Sequence, residues 1–74
     1  MNATIVTVGD EILIGQVVDT NSAWLGTQLV SLGIDVTEIR SISDKEDPIL
    51  EAIGTAFKQS DLVFMTGGLG PTKD

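Results

Sequence analysis

Cysteine and histidine are both missing from the 74 residues. Without cysteine there is neither a disulfide framework nor a thiolate metal site. Without histidine, a His-based catalytic triad or a His-ligated zinc is impossible within these residues. Positive charge is scarce: 4 Lys and Arg stand against 11 Asp and Glu, for a net charge of −7. Phosphate backbones demand a surplus of Lys and Arg, so nucleic acid is not an expected partner. A small phosphorylated ligand stays open, because backbone amides or a bound cation can hold it. No apolar run approaches the roughly 20 residues of a membrane span. The start, Met1-Asn2-Ala3-Thr4, lacks the basic segment of a signal peptide. No membrane and a cytoplasmic location are therefore the expectations.

A hydrophobic fraction of 42% with 20% charged residues fits a packed globular piece. The length allows one small domain over residues 1–74 and no second one. Residues 4–8 are β-branched throughout and predict a first, central strand. Asp19, Thr20, Asn21 and Ser22 offer consecutive N-caps ahead of a helical stripe at Leu25, Leu29 and Leu32, widened by Trp24 and Val30 and closed by Gly33. Residues 34–42 alternate, with a slip between Val36 and Ile39, and read as a second strand. A second helix follows, with Ile49, Ile53, Ala56 and Phe57 as its inner face. Its start is either Asp47 as N-cap with Pro48 at N1, or a Ser43/Glu46 capping box. The first placement leaves Asp44 in the loop before the helix. Gly54 inside the helix suggests close packing there, since glycine costs about 1 kcal/mol relative to alanine. The apolar run from Leu62 to Met65 predicts a third, buried strand.

Strand, helix, strand, helix, strand with short connections predicts one parallel sheet covered by helices, through right-handed crossovers. With the first strand central, the order is 2-1-3. Two loops then meet at the carboxyl ends of the strands, where open α/β sheets bind ligands. One is Gly9-Asp10-Glu11, whose acids read equally as a solvated turn or as ligand-facing groups. The other is Thr66-Gly67-Gly68-Leu69-Gly70-Pro71-Thr72-Lys73-Asp74. Closely spaced glycines let backbone amides approach an anion, Thr66 and Thr72 add hydroxyls, and Asp74 adds a carboxylate. Geometry alone would also account for a glycine-rich loop. Asp44 belongs at the same end, one strand further out. Acids beside such a loop form a coherent site for Mg²⁺ and phosphate. The spacing is neither a Walker A motif nor a dinucleotide fingerprint, and Gly-x-Ser-x-Gly is absent.

Taken together, Gly9-Asp10-Glu11-Ile12-Leu13-Ile14-Gly15, Asp19-Thr20-Asn21, the loop from Asp44 to Pro48 and Thr66-Gly67-Gly68-Leu69-Gly70-Pro71-Thr72 resemble the N-terminal domain of the CinA (competence/damage-inducible) family. That domain is of the molybdopterin-binding, MoaB/Mog-like kind. The resemblance covers essentially the whole chain. It implies a three-layer α/β/α fold with a mostly parallel sheet, of which these residues are the first half.

The resemblance also implies chemistry. Gly67, Gly68 and Gly70 would contact the phosphates of a nucleotide or the phosphate region of a pterin. Thr66, Thr72, Gly9, Asp10, Glu11 and Asn21 would complete that site. In molybdenum-cofactor relatives two acids serve metal-dependent chemistry. One corresponds to Asp44; the other falls just after Asp74, which is taken in its place as the second metal-binding and catalytic carboxylate. The implied cofactor is a divalent metal (Mg, Mn or Co), with molybdopterin as a further candidate. The implied activity of the intact protein is ADP-ribose pyrophosphatase, a hydrolase function. A molybdopterin-binding module without hydrolysis is the alternative, and the half-domain by itself is expected to be inactive. A homo-oligomer is the expected assembly.

Overall fold

A computed structural model describes residues 1–67. Its elements are β1 (Asn2–Val8), α1 (Asp10–Leu13), α2 (Thr20–Ser31), β2 (Asp35–Ile42), α3 (Glu46–Gln59) and β3 (Leu62–Gly67). The three strands form a parallel sheet in the order β2-β1-β3, as the crossover rule requires once β1 is central.

β1 is buried from Ala3 to Val8. Its β-branched residues serve both faces. Val6 and Val8 pack with Ala52 and Ala56 of α3, and Ile42, Ile49 and Val63 close that cluster. Ala3 and Ile5 pack with Leu29 of α2, against Leu25, Ile34, Val36, Leu62 and Phe64. Each face of the sheet is thus covered by one helix, which gives the α/β/α layering. The slip in the β2 pattern is a bulge. Ala3 pairs with Val36 while Thr4 pairs with Glu38, which leaves Thr37 between them with its hydroxyl donated to the Ala3 carbonyl at 3.2 Å.

α2 begins as its cap residues predict: Asp19 accepts the Ser22 amide at 3.0 Å. It ends in a Schellman turn, in which Ile34 N–H donates to Leu29 O and Gly33 N–H to Val30 O, both at 3.0 Å. Gly33 has φ +84, the left-handed conformation that this turn demands.

Several local expectations are corrected. α3 starts at Glu46 with Lys45 as an extended N-cap that makes no side-chain cap bond. Neither Asp47 nor Ser43 caps it. Pro48 stands at N3, a first-turn position whose amide has no intrahelical partner, so it is tolerated two residues later than expected. Asp47 and Glu46 are first-turn acids that favour the positive end of the helix dipole. The inner face of α3 runs through Ala52 and Ala56, with Phe57 turned out and 63% exposed. Small residues sit there because α3 lies close against β1. Gly54 is exposed, and a Cβ built on it would meet nothing within 4 Å, so close packing does not explain it. On α2, Trp24 and Val30 are exposed, and Leu32, beyond its end, is 73% exposed. The Gly9–Gly15 segment contains a short helix, α1, also closed by a Schellman turn: Gln16 N–H donates to Glu11 O and Gly15 N–H to Ile12 O. Among the described residues no helix is long and apolar enough to cross a membrane.

Candidate functional site

The carboxyl ends of all three strands meet at one edge. Val8, the last residue of β1, pairs with Ile42 of β2 and with Gly67 of β3. Beyond it, Gly9 donates its amide to Ile42 O at 3.1 Å and accepts the Leu13 amide at 3.0 Å. The chain therefore turns from β1 directly into α1. Asp10 and Glu11 fall in that first turn, exposed on the rim.

Asp44 follows β2, one strand out from β1, at the same end of the sheet. Its amide donates to Asp10 Oδ1 at 3.3 Å, which joins the loops after β1 and β2. Both carboxylates are exposed. Their oxygens suit a hard divalent cation, and Mg²⁺ in particular keeps several waters and needs only one or two protein carboxylates. Among the described residues no group of three or more acids is placed to hold a metal ion. Asp10 and Asp44 are the two acids that a hydrogen bond joins at this edge.

On the other side of β1, Thr66 and Gly67 end β3. Gly67 has φ +74, and a Cβ placed on it would lie 2.5 Å from Val8 O. Its lack of a side chain lets the end of β3 lie close against Val8 of β1. Thr66 pairs with Thr7 and is half-buried. Asn21 lies exposed in the first turn of α2, next to Ser22. Gly68, Gly70, Thr72 and Asp74 lie outside the described residues.

One feature escaped sequence reasoning. Beneath the rim, on the α2 side of the sheet, runs a row of hydroxyls. Thr7 Oγ1 donates to Ser41 Oγ at 2.7 Å and approaches Arg40 O at 3.4 Å. Thr66 stands beside Thr7, and Ser22 Oγ lies 3.5 Å from Thr66 Oγ1. Thr7 and Ser22 are fully buried. Ser22 looked like a surplus capping residue, and only the docking of α2 on β3 shows where its hydroxyl goes.

The family described as "Probable molybdopterin binding domain" matches residues 4–74. The chain belongs to this molybdopterin-binding domain family. A CinA-like protein of Flavobacterium psychrophilum is 54% identical over 74 residues, 100% of this chain and 18% of that protein. A CinA-like protein of Cytophaga hutchinsonii is 51% identical over 72 residues, 97% of this chain and 17% of that protein. The chain thus spans less than a fifth of the length of these relatives. Among solved structures, the CinA protein of Thermoplasma acidophilum, described as of unknown function, superimposes with a TM-score of 0.91 at 45% identity. It is matched over 96% of this chain and 42% of its own. The layered α/β arrangement matches that of this CinA structure, and the CinA-like resemblance read from the motifs holds over the whole chain.

Proposed function

We propose that the carboxyl edge of the sheet is the phosphate end of a ligand site, which in the intact protein binds and hydrolyses a nucleotide diphosphate of the ADP-ribose type. The observation that carries this reading is the convergence of Gly9, Asp10, Asp44, Thr66 and Gly67 at one edge, tied together by the Gly9–Ile42 and Asp44–Asp10 hydrogen bonds. Gly67 reaches the edge without a side chain, and the amides of Gly67, Gly68 and Gly70 would be the donors to an anion. Thr66 would donate its hydroxyl to a phosphate oxygen, with Thr72 and the Asn21 amide group as further donors. Asp10 and Asp44 would hold a Mg²⁺, Mn²⁺ or Co²⁺ ion, with Asp74 as a third carboxylate and Glu11 beside them. Such an ion, when bound, neutralises phosphate charge and lowers the pKa of a coordinated water. Within these 74 residues, which contain no histidine, a carboxylate is the side chain suited to take a proton from an attacking water at neutral pH.

The family description favours a second reading, a molybdopterin-binding module without hydrolytic activity. The same glycine edge would then take the pterin phosphate. In either case we expect a homo-oligomer, supported by a run without charged residues from 20 to 34 in a chain of net charge −7.

The test is AMP release from ADP-ribose by the full-length protein with Mg²⁺, Mn²⁺ or Co²⁺, beside Asp44→Ala. Metal-dependent release that falls at least about 100-fold in the variant, with an unchanged melting temperature, is the expected outcome, since outer carboxylates at metal sites commonly matter by 10–100-fold and direct ligands by more. Release that ignores the metal, or that survives in Asp44→Ala, would sink the hydrolytic mechanism.

A further inference from the structure

We propose that Ser22 is a positioning residue of the phosphate site, fixing the direction in which Thr66 presents its hydroxyl hydrogen. The inference rests on the reading of Thr66 as a phosphate donor given above.

Ser22 is 1% exposed, and its Oγ has Thr66 Oγ1 as its hydrogen-bonding neighbour, 3.5 Å away. That is the outer limit of a hydrogen bond. The backbone around Ser22 is pinned, because its amide is held by Asp19 Oδ1 at 3.0 Å. The hydroxyl therefore sits at a fixed height over the end of β3. Thr66 has a second hydroxyl beside it in the sheet, that of Thr7. Thr7 has already committed its single proton to the β2 side, toward Ser41 Oγ at 2.7 Å. It cannot also donate to Thr66.

A hydroxyl carries one proton and two lone pairs. If Thr66 is to donate to a phosphate oxygen, it must accept from inside the protein or leave its inner lone pair bare. Ser22 is the buried donor placed to fill that role. The chain of bonds then runs from the Ser22 hydroxyl to Thr66 Oγ1 and from the Thr66 hydroxyl to the ligand. Each bond polarises the next, so the outer donor strengthens. The reverse direction would have Thr66 donate inward to Ser22, and it would present only lone pairs to an anion. The same contact registers the first turn of α2, which carries Asn21, on the end of β3.

The experiment is a double-mutant cycle in the full-length protein with Ser22→Ala and Thr66→Val, with Thr66→Ser as a variant that keeps the hydroxyl. Equilibrium affinities for ADP-ribose and for inorganic pyrophosphate are measured, each corrected to the folded fraction seen by circular dichroism. Unfolding midpoints are measured in parallel. Each single variant should weaken binding by about 3- to 10-fold, the range of one net hydrogen bond. The double variant should be no weaker than Thr66→Val alone, and Thr66→Ser should recover much of the affinity that Thr66→Val loses. A purely structural Ser22 would lower the unfolding midpoint and leave the corrected affinity unchanged, which overturns the proposal. Additive losses would overturn it too, while leaving the phosphate site standing. A wild-type protein that binds neither probe overturns the phosphate site and the role of Ser22 together.

Discussion

At the scale of single residues, the candidate site depends on one glycine more than on any charge. Gly67 combines a left-handed φ of +74 with a Val8 carbonyl in the space a Cβ would occupy. The left-handed conformation alone costs a non-glycine residue about 1–2 kcal/mol, and the overlap adds to it. Gly67→Ala should therefore lower unfolding stability by about 2 kcal/mol or more in urea titration. A loss under about 0.5 kcal/mol would mean that β3 does not end on Val8 as described. Gly54 is the opposite case. It is exposed within α3, and its missing Cβ would touch nothing. Gly54→Ala should raise stability by about 0.5–1 kcal/mol through the cost of ordering glycine in a helix. A decrease on the same measurement would show a contact that the geometry does not contain.

At the scale of elements, α2 and α3 solve the same packing problem differently. α2 places Leu29 and half-buried Leu25 on one face of β1, whereas α3 places Ala52 and Ala56 on the other. Small residues let α3 lie close, so added volume there cannot be absorbed. Ala56→Leu should cost about 1–3 kcal/mol, as overpacking typically does, whereas Phe57→Ser, on the exposed face, should cost under about 0.5 kcal/mol. Equal effects at the two positions would mean that the helix is rotated. The contrast also shows what periodicity could reveal. The strand order and the meeting of the carboxyl ends of β1 and β3 were legible, because β-branched runs, caps and the crossover rule all agree. The rotation of α3 was not, because hydropathy ranks Phe57 above Ala52 although only the smaller residue fits against β1. Asp44 was placed at the correct end from its position after β2. Its bond to Asp10 was not legible, since it depends on α1 turning Asp10 toward the β2 loop. Ser22 was missed because its local role as a cap candidate masked a partner 44 residues away.

At the scale of the whole molecule, charge is unevenly spread. Residues 20–34 carry none, although the chain has 11 acids, and exposed Trp24, Val30 and Leu32 lie on that stretch. Two strongly acidic chains repel except where such a surface faces its like. Sedimentation of the full-length protein should show an oligomer, and Val30→Glu should shift it toward the monomer with circular dichroism unchanged. An oligomer indifferent to that substitution would place the interface elsewhere. The amino edge of the sheet carries a separate polar cluster, in which Asn2 donates its amide to Asp61 and Gln59 donates to Glu38. The two edges offer a direct contrast. Hydrogen exchange of the full-length protein, read by mass spectrometry with and without ADP-ribose and Mg²⁺, tests the placement of the ligand site most directly. The predicted result is slower exchange in peptides covering residues 9–15, 20–25 and 66–67, with residues 58–61 unchanged. Protection confined to the amino edge around Asn2 and Gln59, or no protection anywhere in the chain, would contradict a phosphate site at the carboxyl ends of the strands.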